Sequence, residues 1–129
     1  MQDKDEIRLS IPASAEFLRL ARLIASGLAS RLNFTYEAIE DLRLAVDELC
    51  YSLISSQEDI SNTTLDLSYL VKDESIEIKG ILNSNNAKIQ QSQFSKQILS
   101  ALVDSHEFKQ SFDGKPSFWM AKSMPKAPN

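Results

Sequence analysis

The stretch AVDELCYSLI, Ala45 to Ile54, reads as the middle of an amphipathic helix. With side chains about 100° apart, Leu42, Val46, Leu49 and Leu53 form the centre of an apolar stripe, while Glu40, Asp47 and Tyr51 point the other way. Glu37, Asp41, Glu48 and Ser52 fall at the boundary between the two faces. A boundary position keeps a side chain near water while its neighbours pack, which is how a carboxylate is held at a pocket rim. Spacing alone reads Glu37, Asp41 and Glu48 equally as a solvated helix edge. Asp47 and Glu48 are not an acid/base pair, because consecutive helical side chains diverge instead of converging on one substrate atom.

Working outward, Thr35 is placed to cap this second helix, which the periodicity carries to about Ser56. Upstream, Ile7, Leu9 and Ile11 alternate with Glu6, Arg8 and Ser10, the period of a half-buried strand, and Pro12 ends it. From Ser14, a candidate cap, the apolar residues Phe17, Leu20, Ala21, Ile24, Leu28 and Leu32 predict a first helix of about 18 residues. Downstream, a polar loop leads into alternating Leu65, Leu67, Tyr69 and Val71. A turn at Lys72-Asp73-Glu74 and a partner strand with Ile76, Ile78 and Gly80 complete a hairpin.

Asn83 to Gln93 is rich in Asn, Ser and Gln and reads as a surface loop. Phe94, Ile98, Ala101 and Leu102 predict a short third helix. A last hairpin turns at Asp113-Gly114, with Trp119 and Met120 on opposite faces of its closing strand. This order lacks the strand-helix-strand alternation of a parallel sheet. The expectation is an α+β two-layer sandwich, a mixed, mainly antiparallel sheet with helices on one face. One domain spans 1–129, with 124–129 a flexible tail.

The composition of the 129 residues, 43% hydrophobic and 25% charged with three glycines and four prolines, is that of a globular chain and disfavours disorder or a fibrous repeat. A net charge of -4 and a pI near 5.0 argue against direct nucleic-acid binding, which needs a basic patch. No stretch approaches the roughly 20 apolar residues of a membrane span, and the opening Met1 to Glu6 lacks the order of a signal peptide. A cytoplasmic protein without a membrane partner is expected. Cys50, the only cysteine, excludes an intrachain disulfide and reads as a core thiol. His106, the only histidine, has no ligand-type neighbours at metal spacing and reads as structural or exposed.

Three runs carry a resemblance: DLRLAVDELC after the capped helix start, FSKQILSALVDSHEF, and the closing FDGKPSFWMAKS. Together they resemble segments of anti-sigma factors with the histidine-kinase-like (GHKL, Bergerat) ATPase fold, often called anti-sigma serine kinases, and most of all the actinobacterial members. The match runs from about Glu6 to Ser123. The resemblance implies a protein that sequesters a sigma factor and is countered by an anti-anti-sigma partner, often as a homodimer built at the sheet edge near the first strand. In kinase members it implies Mg-ATP and phosphorylation of a partner serine.

The resemblance also maps the site. The family's Glu-x-x-x-Asn motif falls on Glu48, the general base, and Ser52, a hydroxyl where the family has the metal-binding amide. The Asp-x-Gly-x-Gly segment falls on Leu82-Asn83-Ser84-Asn85-Asn86, which offers Asn83 and Asn85 but no carboxylate and no glycine. The glycine-rich phosphate loop falls on Gln91-Ser92-Gln93-Phe94-Ser95, again without glycine, so the backbone lacks the freedom to approach phosphates closely. Ser117 matches the small hydroxyl residue placed near adenine. With three motifs altered, the expectation is an anti-sigma regulator with a degenerate ATP site and no cofactor. An active serine kinase using Mg-ATP and a generic interaction or small-ligand module are the alternatives.

Overall fold

The structure, a computed structural model, describes residues 5–55, 62–84, 89, 93–110 and 113–124. The elements are β1 (Asp5–Pro12), a 3-10 turn (Ala15–Phe17), α1 (Leu18–Arg31), α2 (Tyr36–Ile54), β2 (Thr64–Val71), β3 (Ser75–Leu82), α3 (Gln93–Leu102), β4 (Ser105–Gln110) and β5 (Pro116–Ser123). The strands form one sheet in the order β1-β2-β3-β5-β4, and every neighbouring pair is antiparallel. The expected two-layer α+β architecture is met, without a parallel pair in the sheet. Most of the polar loop before β2, most of the loop after Ser84 and the tail from Pro125 lie outside the described residues. None of the described helices is long and apolar enough to cross a membrane.

Local signals explain the helix ends. The Thr35 hydroxyl accepts the Ala38 N–H at 3.1 Å, capping α2 as its sequence position predicts. Asn33 takes a left-handed φ of 63°. That turn lets the Phe34 and Asn33 amides reach back to the Ala29 and Ser30 carbonyls and close α1. Helix one starts later than expected, because the Ser14 side chain makes no capping bond and the chain first runs through the 3-10 turn. Helix two ends at Ile54, slightly short of the expected Ser56.

The core lies between the helices and one face of the sheet. Leu42, Val46, Leu49 and Leu53 of α2 are fully buried, together with Leu65 and Tyr69 of β2, Ile76, Ile78 and Leu82 of β3, and Met120 of β5. Ala21, Ala25 and Ala29 bring α1 close enough for the Tyr69 hydroxyl to donate to the Ala21 carbonyl at 3.0 Å. Gly80 sits opposite Phe118 in the register, and the Phe118 ring fills the space its side chain would take. Lys122 is buried, and its ammonium donates to the Leu102 carbonyl at 2.6 Å, closing the end of α3.

Among the described residues no helix covers the other face of the sheet, where charged and hydroxyl side chains alternate with Leu70, Ile81 and Trp119. Ser10 donates to Asp66 at 2.7 Å and Ser68 to Glu6 at 2.6 Å across the β1–β2 pair. Glu77 accepts the Trp119 indole N–H at 2.9 Å and also pairs with Lys72. Trp119 therefore faces away from the helices, and Met120 faces the core.

Candidate functional site

The outer surface of the helical layer holds a groove of about 620 Å³ above α2. Leu18 and Arg22 of α1, Leu44, Glu48 and Tyr51 of α2, and Ile98 of α3 are among its walls. Arg22 pairs with Asp47 at 2.5 Å, a bridge that ties α1 to α2 inside the groove. Glu48 lies half-buried beside it, and its Oε2 accepts the Ser95 hydroxyl of α3 at 2.7 Å. The predicted boundary carboxylate is thus held between two helices.

Ser52 departs from the expected boundary position. It is buried, and its hydroxyl donates to the main-chain carbonyl of Glu48 at 2.8 Å, the back-bond open to a serine one helical turn on. Glu48 and Ser52 therefore share one turn of α2.

The remaining matched positions lie elsewhere. Successive residues of a strand alternate faces, and Ile76, Ile78, Gly80 and Leu82 occupy the helix side of β3. Asn83 follows on the opposite side, where its Nδ2 donates to Thr64 Oγ1 at 2.6 Å and to Asp66 Oδ2 at 2.8 Å. Ser117 also faces the helix-free side and donates to the Lys109 carbonyl at 3.2 Å. Asn85 lies outside the described residues. The structure brings Glu48 and Ser52 together and leaves Asn83 and Ser117 across the sheet from them.

Two residues that motif matching passes over decide this geometry. Leu82, the first residue of the segment matched to the adenine motif, is fully buried on the helix side, so the segment turns an apolar side chain toward α2. Its parity with Ile76 and Ile78 was the available signal. Ser95 is a buried polar residue one turn before buried Leu99, a hydroxyl on an otherwise apolar stripe of α3. Its bond to Glu48 joins positions far apart in the chain, which no local pattern encodes.

Burial pushes the Cys50 thiol well above its ordinary range, with the Asp47 charge adding to the effect, so no reactive thiolate forms. Burial lowers the His106 imidazole, and nearby Lys96 acts in the same direction. Among the described residues, no group of three His, Cys, Asp or Glu side chains is placed to hold a metal.

No family model matches the chain. Curated relatives do: Serine-protein kinase RsbW of Listeria monocytogenes serotype 4a is 40% identical over 78 residues, covering 58% of this chain and 48% of the relative. The protein of the same name from Halalkalibacterium halodurans is 36% identical over 74 residues, 57% of this chain and 45% of its own. The match therefore spans about half the length of these relatives. Among solved structures, the RsbU and RsbW domains of Rv1364c from Mycobacterium tuberculosis share the fold, with a TM-score of 0.71 at 13% identity over 95% of this chain and 33% of that one. Across rather more than half its length, the chain is similar to the serine-protein kinases named RsbW, and its α+β sandwich is the fold found in the RsbU–RsbW structure.

Proposed function

We propose that the chain is an anti-sigma regulator that works by docking: it sequesters a sigma factor and releases it when an anti-anti-sigma protein competes. It acts in the cytoplasm without a nucleotide. The observation that carries the second part is the Ser95–Glu48 hydrogen bond. A phosphate-binding helix start directs its amides at the anion, whereas here the Ser95 side chain in the first turn of α3 holds the Glu48 carboxylate beside that helix start, and its negative charge repels a phosphate. Leu82 and the opposite facing of Asn83 and Ser117 support the same reading, since none offers a polar contact to a nucleotide beside α2. Phosphoryl transfer rests almost wholly on positioning and metal electrostatics, so these changes weigh against it more than the survival of Glu48 weighs for it.

The long edge of β1, which among the described residues pairs only with β2, supports a homodimer built along that strand. Ile7, 37% exposed on the helix side of β1, would contribute apolar surface to it.

The relatives' name favours a second reading, an ATP-dependent serine kinase with Glu48 as base. Calorimetric titration with Mg-ATP separates the two: no heat is expected. Transfer of labelled phosphate to a serine of a purified anti-anti-sigma protein would overturn the docking reading. Coprecipitation with the sigma factors of the same cell tests sequestration, and capture of none of them would end the anti-sigma assignment.

A further inference from the structure

The groove over α2 has a character of its own. Phe94, Ile98 and Leu102 are spaced four residues apart, one stripe along α3. Leu44 and Tyr51, two turns apart on α2, are 55% and 57% exposed, and Phe94 is 71% exposed. Leu44 and Tyr51 of α2 and Ile98 and Leu102 of α3 line the same groove, with Leu18 on the α1 side, and the Phe94–Leu102 stripe is roughly 12 Å long at 1.5 Å per residue. That length matches about two turns of a helix, and a groove walled by exposed apolar side chains is the form that receives the apolar side of one.

The charges select the kind of helix. Asp47 is neutralised by Arg22, whereas Glu48 is met by the neutral Ser95 hydroxyl, and among the described residues no cation pairs with it. One uncompensated carboxylate between apolar walls repels an anionic occupant and favours a cation carried on an apolar surface. From this geometry we infer that the groove receives an amphipathic helix of the partner whose apolar residues lie on the α2 and α3 stripes and whose lysine or arginine reaches Glu48. The inference rests on the docking function above, and the occupant it names is a basic amphipathic helix of the sigma factor.

The test uses the intact chain and two probes. The first is a synthetic amphipathic helical peptide of leucine and lysine, compared with its leucine and glutamate counterpart. The lysine peptide is expected to bind, and Glu48→Lys or Leu44→Asp to weaken it about tenfold or more. Glu107→Lys makes the same change in net charge on the helix-free face of the sheet and is expected to leave binding unaltered. Equal binding of both peptides, or equal loss in the Glu107 variant, overturns the groove. Circular dichroism confirms that each variant is folded, and Leu44 and Glu107 are both exposed, so folding should persist.

The second probe is the sigma factor. Should the wild-type chain capture it and the Leu44 and Glu48 variants capture it equally well, the groove is overturned while the anti-sigma reading stands. Should the peptide bind as expected while no sigma factor is captured, the groove stands as a helix receptor and both the anti-sigma reading and the sigma-factor occupant fall.

Discussion

Ser95 of α3 and Glu48 of α2, 47 positions apart in sequence, share a hydrogen bond of 2.7 Å that fixes the third helix against the second. A hydroxyl given to a charged acceptor in a partly buried seam contributes more than an exposed pair does. Ser95→Ala is expected to cost about 1.5–3 kcal/mol, read as a lower denaturant midpoint. A double-mutant cycle with Glu48→Ala should give a coupling energy clearly above zero. Purely additive losses would mean that the bond contributes nothing.

Gly80 faces the Phe118 ring so closely that a methyl group there would sit within 2.7 Å of Cζ and nearer still to Cε2. Phe118 is buried and has no open side to retreat to. Gly80→Ala is expected to destabilise by about 1–3 kcal/mol, the usual range for overpacking. Adding Phe118→Leu should recover part of the loss, and thermal melts of the single and double variants decide it.

Tyr69 gives the fold an alkaline limit. Burial pushes its phenol far above the ordinary tyrosine range, so the folded state holds a proton that the unfolded chain releases near pH ~10. Its contribution is therefore intact below that pH and is lost as pH rises through and beyond it. Because the buried Cys50 thiol acts in the same direction, the comparison belongs in a Cys50→Ala background. There, Tyr69→Phe should flatten the fall in stability between neutral and strongly alkaline pH, while costing about 1 kcal/mol at neutrality through the lost bond to Ala21. An unchanged alkaline slope would contradict this.

On the helix-free face, hydrogen bonds from Lys72 and then Trp119 hold the Glu77 carboxyl below its usual value. With the folded value depressed, its contribution is present above the ordinary glutamate range near ~4.3 and disappears as acid takes the pH below it. Trp119 is the only tryptophan, so its fluorescence should report a transition beneath that range. In Glu77→Gln the transition should vanish.

Cys50 should resist alkylation in the folded chain and react once the chain is unfolded, since it is completely buried. Labelling followed by mass spectrometry checks this. Rapid modification under native conditions would contradict the packing of α2.

Much of this fold was legible as pattern. The α2 stripe, the Thr35 cap, both hairpins and the opposed facing of Trp119 and Met120 all follow from periods and turn chemistry that act over a few residues. The start of α1 was not, because Ser14 has the right side chain for a cap but not the bond. The candidate site was legible only in part. Matching a motif by order assigns Asn83 and Ser117 to the same site as Glu48 and Ser52, but it carries no information on facing, because a strand alternates faces and one position decides whether a side chain meets the core or the solvent. The Ser95 contact depends on how α3 lies over α2, which the core packing determines and no short window records.

Lys122 brings one more consequence. Its ammonium grips the last turn of α3 while Ser95 anchors the first, so this helix is fastened at both ends, unlike a hinged cover. A wall pinned in this way gives the groove a constant width. It acts as a mould that a visitor must already fit, losing little motion when filled and discriminating by contour.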